Sequence, residues 1–245
     1  MEIDLKIVAT RRPDLLEATL QSFRFVGLRD FQVSSISMNL DPAFGTVEDA
    51  EICNRLIQRY FPGALVHEPL SPSFGGAVKR LWSEAGELPI FHLEDDWIAR
   101  EPLSVDFVQN AFDQGYGAVT PLAKEHSWDS RNPEALTVEI RRFFGLRVGK
   151  RATTRHSFGT SPKFILGALA RRLAAKMDPD RDPEKKMYSG ELDEVVQSFR
   201  SVFMTMAGKK PIIEDIGRDW RKKRGIKKQL VEGKSVWLQE DQTDQ

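Results

Sequence analysis

The chain has 245 residues, 40% of them apolar and 29% charged, which suits a globular protein and allows one large α/β domain. Lys plus Arg and Asp plus Glu both number 36, so the net charge is zero and nothing in the whole chain demands a polyanionic partner. One cysteine, Cys53, excludes an internal disulfide framework, no apolar run reaches the ~18–20 residues of a membrane span, and Met1-Glu2-Ile3-Asp4 lacks a signal peptide's basic start, so a cytoplasmic protein with no membrane partner is expected.

Leu5 to Ala9 reads as a first strand, broken by Thr10-Arg11-Arg12-Pro13. Pro13 suits the first turn of a helix whose Leu15, Leu16, Thr19, Leu20 and Phe23 share one face. Arg11 and Arg12 thus stand at a strand's C-terminal mouth, either to grip phosphate or as solvated loop cations. Val33 to Leu40 is a second strand closed by Asp41-Pro42, where Asp41 either accepts hydrogen bonds from a ribose or base or caps the turn. A helix over residues 48–60 turns Ile52, Leu56, Ile57 and Tyr60 inward and carries Cys53 as a core thiol. Ala64 to His67 is a third strand, with His67 structural. Gly75 and Gly76 open a helix running to about Ala85. They let backbone N–H groups approach an anion or nucleotide, or they simply make a tight turn, with Lys79 and Arg80 close by.

The next stretch organises the rest. Pro89-Ile90-Phe91-His92-Leu93 is apolar enough for a buried strand, and Glu94-Asp95-Asp96 follows at once. Three carboxylates cannot lie unpaired in a core, so they belong at the strand's C-terminal mouth, where open α/β sheets bind ligands. Hard oxygen donors there suit Mg²⁺ or Mn²⁺ with substrate phosphates, while the plainer alternative is a solvated acidic turn.

Beyond it the sequence predicts a helix over residues 104–112, a strand over 116–121, an irregular region over 122–132 and one or two strands over 138–148. A helix over 163–177, capped by Ser161-Pro162, comes next, then a proline-broken connector over 178–186 and a helix from Ser189 to about Met206. Pro211-Ile212-Ile213 is a short strand. Seven Lys or Arg fall between Arg218 and Lys228, ordinarily a solvated face, and residues 239–245 are expected to fray.

Three motifs in this order resemble the GT-A class of nucleotide-sugar glycosyltransferases: Ile7-Val8-Ala9-Thr10-Arg11-Arg12-Pro13, Leu93-Glu94-Asp95-Asp96-Trp97 and Glu214-Asp215-Ile216-Gly217-Arg218. The middle one corresponds to the class's Asp-x-Asp metal motif, with Glu94 departing from it. Its form is also similar to phage glycosyltransferases, including relatives of the base J glucosyltransferase acting on hydroxymethylated DNA bases. The resemblance implies a GT-A, Rossmann-like, mostly parallel sheet flanked by helices, with a donor half over 1–122 and an irregular acceptor half over 123–245 inside one domain.

It further implies transfer from a UDP-sugar to an acceptor hydroxyl with Mn²⁺ or Mg²⁺. Asp96 and Asp95 would hold the ion with Glu94, and Asp215 or His156 would supply a further ligand. Thr10, Arg11, Arg12, Gly75, Gly76, Lys79, Asp95 and Arg218 would line the nucleotide diphosphate, and Asp41 the uridine or ribose. Glu191, or else Asp193, would be the base of an inverting reaction. The basic stretches 141–155 and 218–228 would suit a DNA acceptor, although zero net charge argues against strong non-specific DNA binding. A nucleotidyltransferase ranks lower because the loop after the first strand has no glycine; a carbohydrate or small-molecule acceptor, or a non-enzymatic binding module, stays open.

Overall fold

The computed structural model describes residues 1–239 apart from 127, 145, 182, 184–189, 207–209 and 232–233, with backbone alone at 147, 150, 228–231 and 234–239. The expected frayed end over 240–245 lies outside the described residues. The chain begins β1 (Glu2–Thr10), α1 (Pro13–Ser22, prolonged by a wide turn over Phe23–Gly27), β2 (Gln32–Asp41), α2 (Val47–Tyr60), β3 (Leu65–His67), α3 (Phe74–Ser83) and β4 (Ile90–Glu94). Then come β5 (Trp97–Ala99), α4 (Val105–Asp113), β6 (Tyr116–Pro121), β7 (Leu136–Phe143), β8 (Leu146–His156), β9 (Lys163–Ile165) and α5 (Gly167–Lys176). The chain continues with α6 (Gly190–Gln197), β10 (Arg200–Met204), β11 (Ile213–Asp215), α7 (Gly217–Lys223), β12 (Ile226–Val231) and β13 (Lys234–Gln239).

Seven strands form one sheet in the order β3-β2-β1-β4-β9-β6-β10. The pairs β3-β2, β2-β1, β1-β4 and β6-β10 are parallel, and β9 is antiparallel to both its neighbours. Six strands therefore end on the same edge. Helices cover both faces; one is apolar along β1, β2 and β4, and the other mixes Val8 and Ile90 with the buried polar Lys6, Ser37 and His92, where Lys6 donates to Ser37. On one side Ile3, Leu5, Ile7 and Ala9 of β1 pack with Leu16 and Leu20 of α1, Cys53 and Ile57 of α2, and Val108 of α4. On the other, Val8 and Ile90 meet Val78, Leu81 and Trp82 of α3, Leu173 of α5 and Val196 of α6. The later half of the chain supplies β9 and β10 to the same sheet as the earlier half.

Two expected helices are corrected. The helix read over 163–177 begins only at Gly167, because Lys163-Phe164-Ile165 fills the gap between β4 and β6. There Phe164 stacks on Phe31 at 4.9 Å and contacts Phe91 at 4.5 Å. The helix read from Ser189 to Met206 stops at Gln197, and Arg200–Met204 becomes the edge strand β10, where Val202 and Met204 join the core. In both places an apolar run of ambiguous period is claimed by the sheet. The basic tail, expected as a solvated face, folds into α7 and the β12–β13 hairpin. No helix among the described residues is long and apolar enough to cross a membrane.

Candidate functional site

The site lies where β1, β2 and β4 end. Asp95, the first residue after β4, is tied to the end of β1 and the loop that follows it by backbone and side chain together. Its N–H donates to Val8 O at 3.0 Å, and its carbonyl accepts from Thr19 Oγ1 of α1 at 2.8 Å. Its Oδ2 accepts from Thr10 N at 2.8 Å and Thr10 Oγ1 at 3.0 Å, and its Oδ1 meets Arg12 Nη2 at 2.5 Å. The same Nη2 reaches Asp96 Oδ2 at 3.3 Å, while Arg12 Nε donates to Thr10 Oγ1 at 2.7 Å. The guanidinium is 6% exposed and lies 5.3 Å from the ring centroids of both Phe44 and Trp220. Burial works against its charge, yet Asp95 and Asp96 outweigh that and hold it more firmly protonated than usual.

Asp96 is 7% exposed, and its Oδ2 has a second cation, Arg221 Nη1 of α7, at 3.3 Å. Burial pushes this carboxyl up to about 7, with Arg12 pulling it down and Asp95, Glu94 and Asp215 adding to the rise. Helix α7 is brought there by pairing of β11 with β5, which sets Asp215 opposite Trp97, and by Ile216 N donating to Asp96 O at 2.9 Å. Asp215 Oδ1 accepts from Gly217 N at 2.9 Å and Arg218 N at 3.2 Å, and its Oδ2 pairs with Arg218 Nε at 2.9 Å. A Cβ on Gly217 would stand 2.1 Å from Asp96 Oδ2, so only glycine permits this approach. Trp220 Nε1 donates to Asp14 at 2.8 Å, and Arg224 pairs with Asp14 at 3.4 Å, tying α7 back to α1.

The loop after β2 closes over Arg11 and Arg12. Phe44 takes a positive φ of 65°, and a Cβ at Gly45 would meet Arg11 O at 2.1 Å. Arg11 is half-buried, and its Nε is buried with no hydrogen-bond partner among the described residues. Asp41 is 4% exposed, accepting from Asn39 Nδ2 at 2.8 Å and Ser73 N at 3.1 Å. Burial raises its pKa, against the two hydrogen bonds and Arg80.

Thr10, Arg12, Asp95, Asp96, Asp215 and Arg218 are thus brought together, with Arg11 and Asp41 on adjoining loops. Glu94, in β4, keeps an Oε1 3.9 Å from His92 Nε2. Other expected residues are used elsewhere. Gly75 allows the 178–181 segment to lie against α3: a Cβ there would be 2.4 Å from Arg181 O. Gly76 N donates to its capping residue Ser73, which itself donates to Pro179 O at 2.7 Å, and Lys79 Nζ donates to Met177 O at 2.8 Å. Protein backbone therefore occupies the surface expected to face a nucleotide. His156 ends β8 and lines a cavity of about 460 Å³ with Gly115, Gly117 and Arg172, at the edge where β6 begins and hence across the sheet from Asp96. Glu191 pairs with Lys176 at 3.0 Å, and Asp193 with Arg155 at 2.7 Å; neither is hydrogen-bonded or ion-paired to the acidic cluster.

A divalent ion does not fit this arrangement. Both oxygens of Asp95 are engaged, Asp215 caps α7, His156 is across the sheet, and the Arg12 guanidinium already bridges Asp95 and Asp96. No group of three or more metal-ligating side chains converges among the described residues. Arg12 stands between the two carboxylates that the sequence assigned to a metal. Sequence reasoning gave no site role to Thr19, Phe44, Gly217, Trp220 and Arg221. The spacing of Gly217, Trp220 and Arg221 after the Glu214-Asp215 pair was the signal for an α7 packed inward. His126 was missed as well: its Nδ1 accepts from Ala123 N at 3.1 Å, and its ring lies 6.2 Å from that of Trp97.

The fold and its strand-end cluster define a GT-A, Rossmann-like class: a mostly parallel sheet flanked by helices. Among solved structures the chain is similar to S. aureus TarS 1-349 in complex with UDP, with TM-score 0.56 and 10% identity over 87% of this chain and 60% of that one. It is similar to S. aureus TarS with TM-score 0.55 and 9% identity over 88% and 36%, and to TarS 1-349 in complex with UDP-GlcNAc with 0.52 and 11% over 87% and 58%. The chain thus spans less than two thirds of these relatives' length. No protein-family model and no curated protein matches the sequence.

Proposed function

We propose that the protein is a transferase using a nucleotide-diphosphate sugar, UDP-linked in the first instance, and that the diphosphate sits on the Thr10-Arg11-Arg12 loop. The observation that carries this is Arg11. A guanidinium at the mouth of β1, with a buried Nε lacking a hydrogen-bond partner among the described residues, supports a role in meeting a ligand's anion. Support comes from the likeness to structures holding UDP and UDP-GlcNAc. Sugar transfer leaves a nucleoside diphosphate carrying new negative charge, and preorganised donors that meet this charge lower the barrier. Arg11 would bind the phosphates directly. Arg12 would hold Asp95 and Asp96 in place, fixing the loop that carries Arg11. No divalent ion enters this proposal, and the acceptor is a hydroxyl group.

A melting-temperature screen tests it. UDP and UDP-sugars should raise the melting temperature of the wild type by mass action, and Arg11→Ala should lose most of that shift while melting like the wild type without ligand. Equal shifts in both proteins would remove Arg11 from the site, and no shift with any nucleotide sugar would remove the assignment.

A further inference from the structure

The β7–β8 hairpin is an arm of 21 residues, from Leu136 to His156, in a chain of zero net charge. Its stretch holds six Lys or Arg (Arg141, Arg142, Arg147, Lys150, Arg151, Arg155) against one acid, Glu139. Its base is fixed: Arg155 pairs with Asp193, and His156 N donates to Gln197. Its tip is apolar and bare. Phe143 is 65% exposed, Phe144 91%, Leu146 73% and Val148 62%. Phe144 turns the chain with a φ of 48°.

We infer that this arm docks the protein onto an anionic lipid surface, with the Phe143-Phe144-Leu146 tip in the acyl boundary and Arg141 and Arg142 at the level of the headgroups. This departs from the sequence expectation of no membrane partner. The order of groups along the arm decides the class of partner. A bilayer surface presents anionic headgroups outside and hydrocarbon beneath, so an apolar tip ahead of a cationic collar matches it layer by layer. A nucleic-acid backbone offers phosphates to the outermost groups, and here the outermost groups are apolar. The two phenylalanine rings also pack edge to face at 4.6 Å and 77°, instead of lying open as a platform for bases. A second copy of the chain would bring two cationic arms together. The four tip side chains also cover on the order of 500 Å², short of the ~800 Å² per partner of a stable interface.

The test is co-sedimentation of the full chain with vesicles of phosphatidylcholine alone and of phosphatidylcholine mixed with phosphatidylglycerol. The wild type should pellet with the mixed vesicles only, and less so as salt rises. Phe143→Ser/Phe144→Ser should weaken binding by about tenfold or more with an unchanged melting temperature, since both rings are exposed. Arg141→Gln/Arg142→Gln should weaken it and flatten the salt dependence. Failure to pellet, or equal pelleting of the tip variant, would overturn the inference. So would tip-dependent retention of DNA oligonucleotides without vesicle binding, or a dimer on size exclusion that the tip variant dissolves. None of these readouts depends on nucleotide binding, so this inference and the transferase proposal stand or fall separately.

Discussion

At the residue scale, the site is a charge-balance problem solved with arginine. Two adjacent carboxylates are taken out of water, and Asp95 is satisfied by Thr10 and Arg12 while Asp96 shares two more distant cations. Asp96 therefore bears the strain of burial. Its pKa is raised from 3.8 to about 7, so its contribution to stability is full below pH 3.8 and is lost as pH rises through about 7. The melting temperature of the wild type minus that of Asp96→Asn should fall between pH 4 and 7 and then level off; a difference that grows with pH would contradict this. His126 has the opposite sign: burial, then Lys163 and Arg218, lower it to about 3, so its contribution is present above pH 6.5 and fades on acidification. Gly217→Ala should cost about 2–4 kcal/mol by urea melts, because the new Cβ would overlap Asp96 Oδ2 and α7 must move away. A loss below 0.5 kcal/mol would show that α7 is not held against Asp96.

At the scale of elements, the first half of the chain was legible and the second only in part, for a physical reason: the helix over 105–113 and the strands over 116–121 and 136–156 were readable, while the strands over 163–165 and 200–204 were not. In β1 through β4 each strand ends in a polar loop and each helix carries its own signals. Pro13 opens α1, Thr46 and Asp49 close a capping box on α2, and Ser73 caps α3. The mouth of β4 was readable because three carboxylates after an apolar run have one sensible place. Lys163-Phe164-Ile165 gave no such signal, since three residues carry no period and only the gap between β4 and β6 makes them a strand. Phe164→Ala tests that placement. A wholly buried ring against Phe31 and Phe91 should cost about 3–5 kcal/mol, whereas a residue on a peripheral helix would cost under ~1 kcal/mol. The sequence marked the 178–181 segment only as a proline-broken connector, because its contacts with Ser73 and Gly75 are non-local, and they occupy the glycine loop that a nucleotide was expected to use.

At the scale of the whole molecule, zero net charge conceals an uneven distribution. The tail's arginines are partly spent at home, with Arg218, Arg221 and Arg224 facing Asp215, Asp96 and Asp14. Among the described residues, a cationic arm with an apolar tip stands out, as does Arg11 at the strand mouths, whose Nε is buried without a hydrogen-bond partner. The resemblance in the three sequence motifs located this edge of the sheet. Acidic residue types are compatible both with gripping an ion and with gripping an arginine, and only the placement of Arg12 between them separates the two.

On the proposed function, Arg11 and its arginine-braced loop bind a nucleotide diphosphate without a divalent ion. Calorimetric titration of the full chain with UDP, once in EDTA and once in Mn²⁺, tests it most directly. The account predicts saturable one-to-one binding whose affinity agrees within about threefold between the two buffers, a difference under 0.7 kcal/mol. Binding that appears only with Mn²⁺ would show that the carboxylates release Arg12 for a metal, and would contradict it.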